Sequence, residues 1–331
     1  MWKVVVFLAV ICLVWQYMLP QSYVLETWDS NVVKPAKQIY ERATVHIFGN
    51  ESKSGIPIGE PVRGRNNIMF VETSCLVKKA NATRKVMSLR QTCSIESAAR
   101  MNPDADVYLL HSCPIEFNPD EPVTQLLKYT NIKFWSFSLH TLMSGTPLQA
   151  WDYNAALGGS QWPLEHSSDV VRFVLLWKYG GIYMDLDFVV IKSMDSLEEN
   201  FVCIETEKSL GSSVIKMDSE NTGHKLATIC VEQLAKDFRG DAWAHNGPQR
   251  ITDCLQALCH TQKLSDVDPK ECNVTIYNSS VFFPVAYWEW KMLFSESDSE
   301  KVAERIENSS GVHVWNKLSF NEKVYIGSIQ P

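Results

Sequence analysis

The chain has 331 residues, 45% of them hydrophobic and 21% charged, a balance that supports a large buried core and excludes a disordered protein. Its formal net charge of −7 offers no broad basic surface to a polyanion, which argues against a nucleic-acid partner. Any phosphate on a ligand must therefore be neutralised locally, by a device such as a metal ion.

Taken in chain order, the first feature is the unbroken apolar run from Val4 to Trp15, after which largely apolar residues continue to Pro20. A bilayer span normally needs about 20 such residues. Trp15, Tyr17, Met18, Leu19 and Pro20 are bulky where a cleavage site needs small side chains, so residues 4–20 read as an uncleaved signal anchor behind a cytoplasmic tail of residues 1–3. That gives a single-pass type II protein whose bulk lies in the lumen. Beyond the anchor the eight cysteines Cys75, Cys93, Cys113, Cys203, Cys230, Cys254, Cys259 and Cys272 allow up to four disulfides in an oxidising compartment. None of them forms the C-x-x-C pair of a zinc site. Glycosylation sequons at Asn50, Asn81, Asn273, Asn278 and Asn308 all fall on the proposed luminal side.

Residues 21–65, polar with closely spaced glycines and prolines, read as a stem. Regular structure is predicted to begin at Asn67, with strands at Ile68 to Val71, Val107 to Leu110 and Ile132 to Phe137 and a short helix at Val123 to Tyr129. A long helix is predicted from about Asp169, capped by Ser167 or Ser168 and ended by Gly180-Gly181, which turn the chain into a buried strand at Ile182 to Met184. Strands alternating with helices indicate an α/β layered fold with a largely parallel sheet. Phe282, Phe283, Tyr287, Trp288 and Trp290 are read as core in preference to a platform on which pyranose rings stack.

The last of these strands runs into Asp185-Leu186-Asp187, followed by the apolar Phe188 to Ile191. In extended backbone, residues two apart face the same side, so Asp185 and Asp187 converge on one divalent cation while Leu186 faces the core. Two further Asp-x-Asp triplets, Asp104/Asp106 and Asp266/Asp268, read as solvated turns; only the middle one ends an apolar strand, where ligands of α/β sheets collect. Asp169 and Arg172 share a helical face turned toward the acidic loop and are placed to hold sugar hydroxyls; the alternative is a surface ion pair.

Ser168-Asp169-x-x-Arg172 followed by Gly180-Gly181-x-Tyr183-x-Asp185-x-Asp187 resembles the donor site of glycosyltransferases with a DxD sugar-binding region. Further segments extend the match: Asn67 to Ser74, Cys93 to Arg100, Thr146-Pro147-Leu148, His245-Asn246-Gly247-Pro248-Gln249 and Val312 to Lys317. In this order they resemble the animal α1,4-galactosyltransferases that make globotriaosylceramide from lactosylceramide, together with related α1,4-N-acetylglucosaminyl and insect α1,4-N-acetylgalactosaminyl enzymes. The resemblance implies a GT-A, Rossmann-like fold with a C-terminal extension, as a single luminal catalytic domain after an N-terminal membrane anchor in the Golgi. A nucleotide-sugar-binding part at 66–200 precedes a C-terminal part at 201–331. It also implies Mn²⁺, UDP-galactose or UDP-N-acetylgalactosamine as donor, retention of configuration, and a glycolipid or glycoprotein acceptor.

By matching position, Asp185 and Asp187 are expected to bind metal and nucleotide and to act in catalysis. Asp169 and Arg172 are expected on the donor sugar, Tyr183 beside the nucleotide, and His313 on the metal. His245, Asn246 and Gln249 are expected to line the site between donor and acceptor, with Gln249 catalytic. Leu186 stands where vertebrate relatives carry Thr, and Gly211-Ser212-Ser213 where relatives read Asn-Gly-Ala, a difference expected to tune the donor. Two other readings compete. Asp185-x-Asp187 after a strand also fits the aspartyl-phosphate motif of haloacid dehalogenase-like phosphatases, with Asp237 to Asp241 as the further acids. The other is an inactive glycan-binding protein.

Overall fold

The computed structural model describes residues 45–47, 56–76 and 87–322. The expected tail, the anchor, most of the stem and the sequons at Asn50 and Asn81 lie outside the described residues. Among the described residues no helix is long and apolar enough to cross a membrane.

The strands and helices that place the site follow in chain order. They are β1 (Asn67–Glu72), α1 (Leu89–Met101), β2 (Asp106–His111), β3 (Ile132–Ser136), α2 (Pro163–Tyr179), β4 (Gly181–Met184), β5 (Phe188–Val190), β6 (Phe201–Thr206), β7 (Ser209–Met217), α3 (Asn221–Lys236), α4 (Arg250–Leu258), β8 (Thr275–Tyr277) and β9 (Gly311–His313). Seven strands form one sheet in the order β8-β6-β7-β4-β1-β2-β3. All neighbours are parallel except at β7, which runs antiparallel to both β4 and β6. The sheet is thus mixed and largely parallel, as expected, and it includes strands from both sides of residue 200.

Apolar runs form its centre because both faces are covered. Ile68, Phe70, Val107, Leu109, Ile182 and Met184 join one core cluster with Ile95 and Ala98 of α1. Met69, Val71, Tyr108, Leu110 and Tyr183 join a second with Val170, Phe173 and Val174 of α2 and Leu226 of α3. Helix α1 starts with a capping box, Ser88 accepting from the Gln91 N–H while the Gln91 side chain accepts from Ser88.

Several expectations are corrected. The long helix begins at Pro163, not near Asp169: proline at the first helical position needs no N–H partner, and Ser167 and Ser168 lie inside the helix, Ser167 Oγ donating back to the Pro163 carbonyl. The predicted helix at 123–129 is a 3-10 helix, Pro122–Lys128. The stem expected through residue 65 yields earlier to docked chain, with Ile56 buried, Ile58 bridging Phe134 in parallel, and the Arg63 guanidinium donating to the carbonyls of Trp177, Lys178 and Ser219. Of the up to four disulfides that the eight cysteines allow, Cys75–Cys113 and Cys259–Cys272 form, whereas Cys203, Cys230 and Cys254 are free and buried.

Candidate metal and sugar site

Helix α2 must end abruptly to send the chain back through the sheet as β4. Gly180 and Gly181 do this with φ of 67° and 93°, where a side chain would be strained. A Cβ on Gly181 would also sit 2.5 Å from the Asn67 carbonyl oxygen, so the turn packs directly against the start of β1.

At the far end of β4 the geometry differs from the extended backbone expected. The Phe188 N–H donates to the Asp185 carbonyl at 3.1 Å, closing a turn over Asp185-Leu186-Asp187. Leu186 still packs against the core, and the carboxylates still converge, but through the turn and not through strand alternation. Strand β5 then leaves the main sheet and pairs antiparallel with β9, setting His313 opposite Phe188. Asp187 anchors the returning chain twice. Its carbonyl accepts from the Val314 N–H at 2.9 Å, and its Oδ2 accepts from the Asn316 N–H at 2.7 Å.

The result is a three-residue group, Asp185, Asp187 and His313, whose ligand atoms all lie within 4.8 Å of one another. His313 Nε2 stands 3.1 Å from Asp187 Oδ1 and 3.9 Å from Asp185 Oδ2. Burial works to lower the His313 pKa, but Asp187 and Asp185 outweigh it and push it up to about 10. A proton on this imidazole balances the two carboxylates, and a divalent cation would take its place; two carboxylate oxygens and an imidazole nitrogen are a donor set that suits such an ion. The His313 ring is wedged by Trp315, centroids 4.1 Å apart, and Trp315 itself holds a φ of +55°, a strained value for a bulky residue.

Arg172 and Asp169 are buried beneath this group, which rules out the surface ion pair. Arg172 Nη2 lies 2.9 Å from Asp169 Oδ1 and 3.5 Å from Asp185 Oδ1, its Nη1 donates to the Ser212 carbonyl and, at 2.8 Å, to Ser212 Oγ, and its guanidinium covers the Tyr183 ring. Burial opposes the charge on Asp185, yet Arg172, His313 and the Tyr183 hydroxyl more than offset it and hold its carboxyl below the ordinary value. Asp169 goes the other way: burial pushes it up to about 7, against the pull of Arg172. Tyr183, expected beside the nucleotide, is 1% exposed, its hydroxyl donating to Asp185 Oδ1 at 2.7 Å and bonded to Ser168 Oγ at 2.8 Å, so it positions the carboxylate from below.

The segment His245–Gln249 forms a single turn of π-helix packed against α2 and β7. Gly247 is what brings it close: a Cβ there would lie 2.9 Å from both Asp169 Cγ and Ser212 Oγ. The polar side chains of this turn have partners of their own. His245 Nε2 meets Asp237 Oδ2 at 2.9 Å, the Asn246 amide spans the backbone N–H and carbonyl of Arg239, and the exposed Gln249 donates to Asp253. Asn246 is therefore a tie within the loop. Asp237 and Asp241 pair with His245, Arg250 and Arg239, and neither belongs to the group of Asp185, Asp187 and His313, so the further acids of the phosphatase reading do not join it. Phe282 and Phe283 are core as expected, whereas Tyr287 (44% exposed) and Trp288 (63% exposed) are not, and Tyr287 leans on Trp315.

One polar residue of this region carried no signal in the sequence. Glu205, a lone carboxylate in β6, feels the charges of His313, Asp185 and Arg172.

Residues 88–202 match the glycosyltransferase sugar-binding region containing the DXD motif, and residues 219–331 match the alpha 1,4-glycosyltransferase conserved region. The lactosylceramide 4-alpha-galactosyltransferase of Rattus norvegicus is 30% identical over 263 residues, covering 78% of this chain and 69% of that protein. The alpha-1,4-N-acetylglucosaminyltransferase of Homo sapiens is 27% identical over 264 residues, covering 77% and 72%. Among solved structures the PaToxG glycosyltransferase is similar at 19% identity over 73% of this chain and 81% of that one, with a TM-score of 0.42, too distant to add weight.

Proposed function

The chain belongs to the α1,4-glycosyltransferase family and is a hexosyltransferase, and from that premise we propose that it moves galactose or N-acetylgalactosamine from a UDP-sugar onto a glycosphingolipid such as lactosylceramide. The new linkage is α1,4, with anomeric configuration retained. The single observation that carries this reading is the union of Asp185, Asp187 and His313 with the buried Asp169–Arg172 pair at one strand tip. The proposal includes a GT-A fold, Mn²⁺ as the ion, and a Golgi type II topology. The apolar N-terminal run and the exposed sequons at Asn273, Asn278 and Asn308 support that topology.

A divalent cation held by Asp185, Asp187 and His313 would supply positive charge to the diphosphate as it leaves. Arg172 adds a fixed positive charge that costs no reorganisation, because Asp169, Asp185 and Ser212 already hold it in place. Tyr183 fixes one oxygen of Asp185 and so orients the other toward His313. Asp169, with Gly247 against it, forms an edge for donor hydroxyls, and Gln249 at the end of the same turn is the proposed amide of the reacting centre.

UDP release from UDP-galactose, UDP-N-acetylgalactosamine and UDP-N-acetylglucosamine, with and without EDTA and with lactosyl-type and arthropod-type glycolipids, tests the proposal. The expected result is metal-dependent release that one acceptor stimulates, yielding an α1,4 product. Hydrolysis of phosphomonoesters, or inertness with all three donors, would sink it.

A further inference from the structure

His313 reaches the acidic turn on a thin support. Strands β5 and β9 have three residues each and pair only with one another, apart from the main sheet, and a ladder of that size is marginal by itself. The chain then doubles into a hook, a single helical turn over Asn316–Ser319, in which Ser319 Oγ donates to the Val314 carbonyl at 2.8 Å. Lys317 pairs with Glu165 from this hook, but its side chain is 60% exposed, and a surface pair of that kind contributes little.

A firmer tie comes from the other matched family region. Arg90 is the second residue of α1, within residues 88–202, and its guanidinium crosses to the hook, within residues 219–331. Its Nη1 lies within donating distance of Asn316 Oδ1 (3.2 Å), the Ser319 carbonyl (2.9 Å) and Ser319 Oγ (3.1 Å), and its Nη2 donates to the Glu322 carbonyl. The Phe294 ring packs against it, with the guanidinium carbon 4.7 Å from the ring centroid.

This placement opposes the preference of the helix. The first turn of α1 is the positive end of its dipole, where a cation is disfavoured. Burial also works to lower the Arg90 pKa, with Glu322 and Asp187 opposing it. The hook offsets both costs with carbonyls at and just past the end of a helical turn, groups that favour a cation. Only a planar fork serves so many acceptors together, which explains arginine over lysine here.

From Arg90 the contacts run on to the acidic turn. The residue whose side chain it holds, Asn316, donates its backbone N–H to Asp187 Oδ2, and Val314, tied to Ser319, donates its N–H to the Asp187 carbonyl. His313 immediately precedes Val314. A fixed hook therefore sets His313 and Asp187 in place before an ion arrives, whereas a loose one would have to be ordered by the ion at the expense of affinity.

We infer that Arg90 is a positioning residue for the metal-binding group, clamping the hook at 314–322 so that His313 and Asp187 are preset to receive a divalent cation. It acts through Asn316 and Ser319, not by ligating. The inference rests on the reading of Asp185, Asp187 and His313 as a metal site and extends it to a residue on a different element.

The test compares full-length wild type, Arg90→Ala and Arg90→Lys. Alanine removes a cation that the helix disfavours, so α1 should stay folded. In the metal-free protein, hydrogen exchange at the Val314 and Asn316 amides should quicken by about tenfold in Arg90→Ala, while the amides of β1, β2 and β4 keep their wild-type rates. Calorimetric titration with Mn²⁺ should show about tenfold weaker binding, the effect of removing support from outside the ligand shell. UDP-galactose hydrolysis should need correspondingly more Mn²⁺ for half-saturation, with kcat at saturating Mn²⁺ within about twofold of wild type. Lysine keeps the charge without the fork and should recover little. Full recovery by lysine, wild-type Mn²⁺ affinity in Arg90→Ala, or exchange that quickens throughout the main sheet would each overturn the inference alone. Failure of the unsubstituted protein to bind Mn²⁺ would overturn the metal reading and the inference together.

Discussion

Replacing Gly247 with alanine tests how tightly the sugar edge is fitted. An ordinary Cβ contact begins at 3.4 Å, whereas the new methyl would meet Asp169 Cγ and Ser212 Oγ at 2.9 Å and Asp169 Oδ1 closer still. The carboxylate must retreat by at least about half an ångström, and overpacking of this size typically costs about 1–3 kcal/mol. Asp169 has no free direction to take. It is held 2.9 Å from Arg172, which is itself bound to Ser212 and Asp185, so the shift passes into the metal-binding group. Misplacement on this scale lowers kcat/KM by roughly ten- to a hundredfold. UDP release from UDP-galactose with Mn²⁺ reads the effect, and a urea titration reads stability. Gly158→Ala is the control, because a Cβ there has nothing within 4 Å. If Gly247→Ala kept kcat/KM within about twofold of wild type, the coupling between this turn and Asp169 would be refuted.

Asp187→Ala should abolish Mn²⁺ binding and transfer while the protein stays folded, since only His313 and the Asn316 N–H lose a partner; calorimetry and circular dichroism check both halves. Tyr183→Phe should weaken Mn²⁺ binding by about tenfold, the usual effect of removing a partner from a ligating carboxylate, and unchanged affinity would deny Tyr183 its positioning role. Because the His313 pKa is raised, the metal-free protein gains stability from its imidazolium that is fully present below the ordinary histidine value and is lost as pH rises through about 10. A metal must displace that proton, so Mn²⁺ affinity should climb about tenfold per pH unit between about pH 6 and 8, with proton release in calorimetry; a flat profile would contradict it.

The sheet was legible because its central strands are buried on both faces and therefore read as apolar runs, and the Gly-Gly turn because no other residue pair tolerates those dihedrals. The start of α2 was misplaced because Trp162 caps it without a side-chain bond, leaving the serines inside the helix as a false signal. That Asp185 and Asp187 converge was legible from their residue types and spacing, but through an argument about extended backbone that the turn replaces. Glu205 was invisible: its place depends on a register irregularity that a single strand does not announce. The internal partners of Asn246 and Tyr183 were not legible either, because polarity in a motif does not reveal which neighbouring backbone group or carboxylate the side chain bonds.

The antiparallel ladder between β5 and β9 has a temporal meaning. Asp187 and Asn316, 129 positions apart, grip one another, and His313 comes from the later partner. During synthesis, then, the group keeps only its two carboxylates until residues 311–316 have emerged and zipped onto the acidic turn. A product clipped before Gly311 would keep that turn yet lack the imidazole that completes the group.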